Sequence, residues 1–136
     1  MRYDRLLRIA SCLMALAVLF IAGCGGTYQG KWVSYPVDRT PIDEFKAGPD
    51  YVVLAIEYPA EGDAEATLYR FLLFQKGEKT GEISCAARIV SGMRRFYLSG
   101  FYNGKSNTLA QFTTKPDYQT VKSKVGEELG GLQEEK

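Results

Sequence analysis

The stretch EISCAARIVSGMRRFYLSGFYNGKSNTLAQFTT, Glu82–Thr114, decides the fold, because two turn signals inside it set the register of three strands. A two-residue turn at Ser91-Gly92 pairs Val90 with Met93, Arg88 with Arg95, Ala87 with Phe96, Cys85 with Leu98 and Ile83 with Gly100. Side chains alternate across a strand, so Ile83, Cys85, Ala87, Phe96 and Leu98 share one face, and Ser84, Arg88, Arg95, Tyr97 and Ser99 share the other. The first face is predicted to be core. A three-residue loop at Asn103-Gly104-Lys105, with glycine in the positive-φ position, then sets Leu98 opposite Ala110 and Phe96 opposite Phe112, which carries the core face into a third strand.

Upstream, TLYRFLLFQ (Thr67–Gln75) reads as a strand rich in aromatic and branched residues, followed by a polar connection, KGEKTGE. TPIDEFKAGPDYVVLAIEYP reads as two strands joined at Gly48-Pro49-Asp50, and PAEGDAEA (Pro59–Ala66) as a loop. GKWVSYP offers a further short strand around Trp32. Downstream the period changes: Tyr118, Val121, Val125, Leu129 and Leu132 step by threes and fours, predicting a helix over Asp117–Leu129 that ends at Gly130-Gly131. Gly126 costs such a helix about 1 kcal/mol against alanine, so docking must stabilise it. The row Leu68, Leu72 and Phe74, broken by Arg70, is the expected dock. The chain therefore reads as mainly β: a small antiparallel meander or barrel of six to eight strands with one C-terminal α-helix.

With 136 residues, 46% of them hydrophobic and 24% charged, the chain has room for one globular core. Arg2, Arg5 and Arg8 precede an uncharged run from Ile9 to Ala22. That run fits the apolar part of a secretory signal and is shorter than the roughly 20 residues of a spanning helix. Ile21-Ala22-Gly23-Cys24 resembles the lipobox of bacterial lipoprotein precursors, with isoleucine where leucine is most frequent. The resemblance implies diacylglycerol on the Cys24 thiol, cleavage by signal peptidase II between Gly23 and Cys24, and an N-acyl chain such as palmitate on the new amino group. Because one acyl chain holds a protein only marginally, two or three are needed for firm attachment. It further implies a domain organisation of 1–23 as signal peptide, 24–31 as lipidated cysteine and short tether, and 32–136 as a single β-rich domain. An ordinary signal peptide cut nearby, or an uncleaved anchor, is the alternative. In Gram-negative members aspartate after the cysteine favours the inner membrane, so Gly25 implies the outer membrane, facing the periplasm. The membrane itself is then the first expected partner, and Trp32 lies eight peptide steps from the anchor, within about 28 Å of the surface.

Cleavage would remove three of the 17 basic residues and one of the 16 acidic ones, leaving a formal charge of −1. That balance lacks the basic footprint of nucleic-acid binding. Cys12 would leave with the signal and Cys24 would be acylated, so Cys85 has no disulfide partner and reads as a buried small hydrophobe.

Gly30-Lys31-Trp32 resembles the Gly-x-Trp that opens the first strand of lipocalins, where tryptophan plugs the closed end of a barrel that carries a small apolar ligand. A plain core role for Trp32 is the competing reading. The chain contains no histidine, which removes histidine-based triads and the usual zinc sites. Glu61, Asp63, Glu65, Glu127, Glu128, Glu134 and Glu135 read as solvated loop and tail charges, and neither a metal, a cofactor nor an enzymatic activity is expected. One unusual feature is Arg88 directly opposite Arg95, with Tyr97 alongside, since like charges paired across strands are unfavourable. Either the two side chains splay into water, or this face meets an anionic lipid, an anionic envelope polymer or an acidic patch on an envelope protein. The expected role is a non-catalytic binding module in the cell envelope, with a lipocalin-like carrier as the alternative.

Overall fold

The computed structural model describes residues 26–59 and 65–133. They fall in two compact units, one comprising residues 26–30 and 34–40, the other residues 31–33 and everything described from Pro41 onward. In the small unit β1 (Gly26–Gln29) pairs antiparallel with β2 (Ser34–Val37), Tyr28 facing Tyr35. This corrects two expectations. Trp32 lies in the connection between two strands and not within one, and residues 26–29, expected as tether, are strand.

The large unit is a six-stranded antiparallel meander in sequential order: β3 (Asp43–Ala47), β4 (Tyr51–Glu57), β5 (Thr67–Gln75), β6 (Glu78–Val90), β7 (Met93–Tyr102) and β8 (Lys105–Phe112). One helix, α1 (Tyr118–Glu128), follows, capped by Asp117, whose carboxylate accepts from Thr120 N. Of the two closures considered, the structure shows the open one: β3 and β8 are the sheet's edges. The β3 edge is covered by the chain after α1, through Gly48 N to Gly131 O (2.6 Å), Gln133 N to Lys46 O (3.0 Å) and a bridge between Ala47 and Leu132. Leu132, expected on the helical stripe, thus lies beyond the helix and packs over Gly126, which explains a glycine there: its Cβ would come within 2.5 Å of the Leu132 side chain.

The β6–β7 register is the one the sequence predicts, from Val90–Met93 to Ile83–Gly100, around a turn with both Ser91 (φ 53°) and Gly92 (φ 77°) left-handed. The next hairpin reaches its predicted end by another route. Its turn is two residues, Asn103-Gly104, so Tyr102 pairs with Lys105; a bulge between Leu98 and Ser99 then absorbs one residue of β8 and restores Leu98–Ala110 and Phe96–Phe112. KGEKTGE is likewise not a connection. Lys76-Gly77 make a two-residue turn and β6 begins at Glu78, a segment without an apolar alternation to betray the strand.

The core is the face carrying Phe45, Val53, Phe71, Leu73, Ile83, Cys85 and Leu98, on which α1 buries Val121, Val125 and Leu129. The expected dock was the other row of β5. Leu68, displaced by a bulge at the strand's start, shares this core, but Leu72 and Phe74 are buried outside it. Arg70 makes that row discontinuous, whereas Tyr69, Phe71 and Leu73 offer the helix unbroken apolar surface.

Two polar staples hold the helix. The Tyr118 hydroxyl donates to Asp43 Oδ2 (2.7 Å), which also meets Lys122 Nζ (2.9 Å), while the Tyr118 ring stacks on Phe71. At the other end the Tyr102 hydroxyl donates to Glu128 Oε1 (2.6 Å), giving that carboxylate a partner where the sequence suggested only solvent.

Candidate interaction surface

Trp32 sits in a small site built by β3. The carboxylate of Glu44 accepts from three successive backbone N–H groups, Lys31 (2.6 Å), Trp32 (2.8 Å) and Val33 (3.2 Å), a concave amide nest closed on the chain's own anion. Two ammonium groups lie over the indole ring, Lys31 Nζ at 5.1 Å and Lys46 Nζ at 5.0 Å from its centroid. This arrangement differs from the lipocalin pattern, since Trp32 opens no strand and the sheet beside it does not close.

Arg88, Arg95 and Tyr97 lie elsewhere. Lys46 aligns across the sheet with Val52, Phe74 and Lys79, and Lys79 is nine residues from Arg88 along β6, about 30 Å at the rise of a strand. Trp32 and the arginines are therefore separate features. The structure also shows how the arginine pair avoids itself. The Arg88 guanidinium turns back over the Tyr97 ring (5.6 Å), while Arg95 turns toward the tip, its Nη2 3.7 Å from Met93 Sδ. Among the described residues no carboxylate pairs with either. Gly23 and Cys24 lie outside the described residues, as do Glu61, Asp63, Glu134 and Glu135.

Sequence reasoning missed an ionic group on the face of the sheet that carries Arg70. Arg70 forks onto Glu82, Nε to Oε2 at 2.7 Å and Nη2 to Oε1 at 2.9 Å, with Nη1 donating to the Tyr58 hydroxyl and Lys79 Nζ 2.9 Å from Oε1. A plain two-residue hairpin would put Gly81 opposite Leu72; the bulge between Leu73 and Phe74 puts Glu82 there instead, diagonal to Arg70. Nothing in KGEKTGE announces that bulge.

Among the carboxyls held below their ordinary range are Glu82 and Asp43, both in ion pairs. Hydrogen bonds from Arg70, then Lys79, outweigh burial at Glu82; at Asp43 burial pushes upward, but the bonds from Lys122 and Tyr118 with the Lys122 charge prevail. Both groups therefore stabilise the fold above the unfolded carboxyl range, and that contribution is lost as pH falls through their depressed values. Unfolding free energy is expected to be flat near neutrality and to lose about 1–3 kcal/mol below about pH 5, limited by partial solvent screening. Urea unfolding at stepped pH checks this, and Asp43→Asn with Glu82→Gln should flatten the acid limb.

Cys85 is fully buried and free, and burial raises its thiol to about 11, so it is inert at neutral pH. Among the described residues no three His, Cys, Asp or Glu side chains group to hold a metal ion, and no helix is long and apolar enough to cross a membrane. Fold and surface together define an open β-meander backed by one helix, with a basic, aliphatic hairpin at one end. Comparison with protein-family models, curated proteins and solved structures finds no match to this chain.

Proposed function

We propose that this protein is a bacterial lipoprotein whose β-meander acts as a non-catalytic interaction module on the cell envelope, moored by acyl chains on Cys24. The observation that carries this reading is the order of residues before the first strand: a basic start, an uncharged run from Ile9 to Ala22, then Gly23-Cys24, two residues ahead of β1. Diacylglycerol on the thiol and an N-acyl chain on the new amino group would give the multiple chains that firm attachment requires. The working surface in this reading is the envelope itself, anionic lipid or polymer or a neighbouring envelope protein, on the outer membrane facing the periplasm if the host is Gram-negative.

Cys24→Ser removes the acceptor thiol. Fractionation of cells is expected to move the variant from the membrane to the soluble fraction, or to leave it as uncleaved precursor. The same amount of Cys24→Ser protein on the same membrane, processed identically, would overturn the proposal.

A further inference from the structure

The β6–β7 hairpin outruns its neighbours. β5 pairs with β6 only as far as Ala86, and β8 with β7 only as far as Phe96, so the pairs Arg88–Arg95, Ile89–Arg94 and Val90–Met93 have no ladder partner in β5 or β8. They form a two-stranded ribbon that projects about 10 Å past the sheet. Its chemistry is ordered along its length. Behind the turn come Val90 (43% exposed) and Met93 (54%), then Ile89 (42%) with Arg94, and then Arg88 and Arg95. Half of the large hydrophobic residues exposed among the described residues are therefore on this one ribbon. Glu65 accepts from the Ile89 backbone N–H at 3.5 Å, and among the described residues no carboxylate pairs with Arg88 or Arg95.

An apolar tip backed by cations matches the profile of a bilayer's surface, where acyl chains lie some 5–10 Å beneath an anionic phosphate layer. A left-handed two-residue turn keeps the tip narrow and stiff, so little ordering is needed on entry. The arginine stems can lie along the aliphatic part while their heads stay at phosphate level. The Arg88 and Arg95 charges, turned apart in the free protein, would be neutralised there.

We infer that the Arg88–Arg95 ribbon is a membrane-contact element, inserting Val90, Met93 and Ile89 into an anionic phospholipid surface with Arg88 and Arg95 on the headgroups. This rests on the proposed mooring, which brings the ribbon to the bilayer and leaves the ribbon to set how the domain stands on it.

The test uses full-length protein extracted from membranes and returned to phosphatidylcholine vesicles with and without phosphatidylglycerol. A nitroxide is attached at Ser91→Cys; Cys85, buried and raised in pKa, does not compete for the label. The expected result is a label shielded from a water-soluble nickel chelate and open to lipid-soluble oxygen only where phosphatidylglycerol is present. R88E/R95E and V90S/M93S should each abolish that shielding, and Arg88→Ala or Arg95→Ala alone should weaken it by roughly fivefold. A label equally open to the chelate on both vesicles overturns the inference. So does a label shielded only in native membranes with their proteins, which would point to a protein partner. Flotation of the same samples reads the mooring separately: protein that floats with a solvent-exposed tip retains the anchor and loses the ribbon's role. Protein that fails to float on phosphatidylcholine while its tip is shielded on phosphatidylglycerol does the reverse.

Discussion

Phe71→Ala is expected to destabilise the domain by about 3–5 kcal/mol, the largest loss from any single truncation considered. Phe71 lies at the centre of the sheet, fully buried on the face that receives α1, its ring stacked on Tyr118 at 6.2 Å with 9° between planes and tilted against Tyr69 at 6.3 Å. Removing the ring leaves a void between sheet and helix that neither can close, because both are fixed by the Asp43 and Glu128 staples. It also takes away the surface that aims the Tyr118 hydroxyl at Asp43. The helix, short and carrying Gly126, has little stability without that contact. Thermal unfolding should show a midpoint lowered by more than about 10 °C. Phe71→Leu, which keeps most of the volume, should lose less than half as much. A Phe71→Ala loss below about 1 kcal/mol would mean that α1 does not rest on this face.

Gly100→Ala is expected to cost roughly 2–4 kcal/mol, for a reason unrelated to glycine's backbone freedom. Gly100 pairs with Ile83 where β6 and β7 come close, and a Cβ there would strike the Glu82 carbonyl and lie 2.7 Å from Ile83 Cα, backbone atoms that cannot swing aside. The β7–β8 bulge one residue away leaves no slack to absorb a shift. Gly104 is the control. Its φ is +77° and a Cβ would meet nothing within 4 Å, so Gly104→Ala should carry only the left-handed penalty of about 1–2 kcal/mol. Urea unfolding of the two variants side by side distinguishes them; equal losses would show that strand approach at Gly100 is not limiting.

How much of this could be read beforehand depended on whether each element left a periodic trace. The β6–β7 hairpin was legible to the residue, because Ser91-Gly92 defines its turn and Ile83, Cys85, Ala87, Phe96 and Leu98 alternate cleanly into the core. The helix and its Asp117 start were legible from the three-four stepping of Tyr118, Val121 and Val125. Bulges left no such trace. They are set by how neighbouring strands must twist to meet, so the early start of β6, the two-residue turn at Asn103-Gly104 and the Arg70–Glu82 fork were hidden. The helix's dock was misread for a related reason: both rows of β5 are apolar, and only the partner strands decide which of them faces α1. Of the surface features, the opposed arginines were visible as a pair in register. That they stand on a ribbon free of both neighbouring strands required knowing where β5 and β8 stop.

The proposed mooring of this domain would rest on the chemistry at a single sulfur and the amine beside it, which intact mass spectrometry of protein extracted from membranes weighs directly. A chain beginning at Cys24 and heavier than its residues by a diacylglyceryl group and an acyl chain is the result predicted. A chain still beginning at Met1, or one beginning at Cys24 with no added lipid, would contradict it.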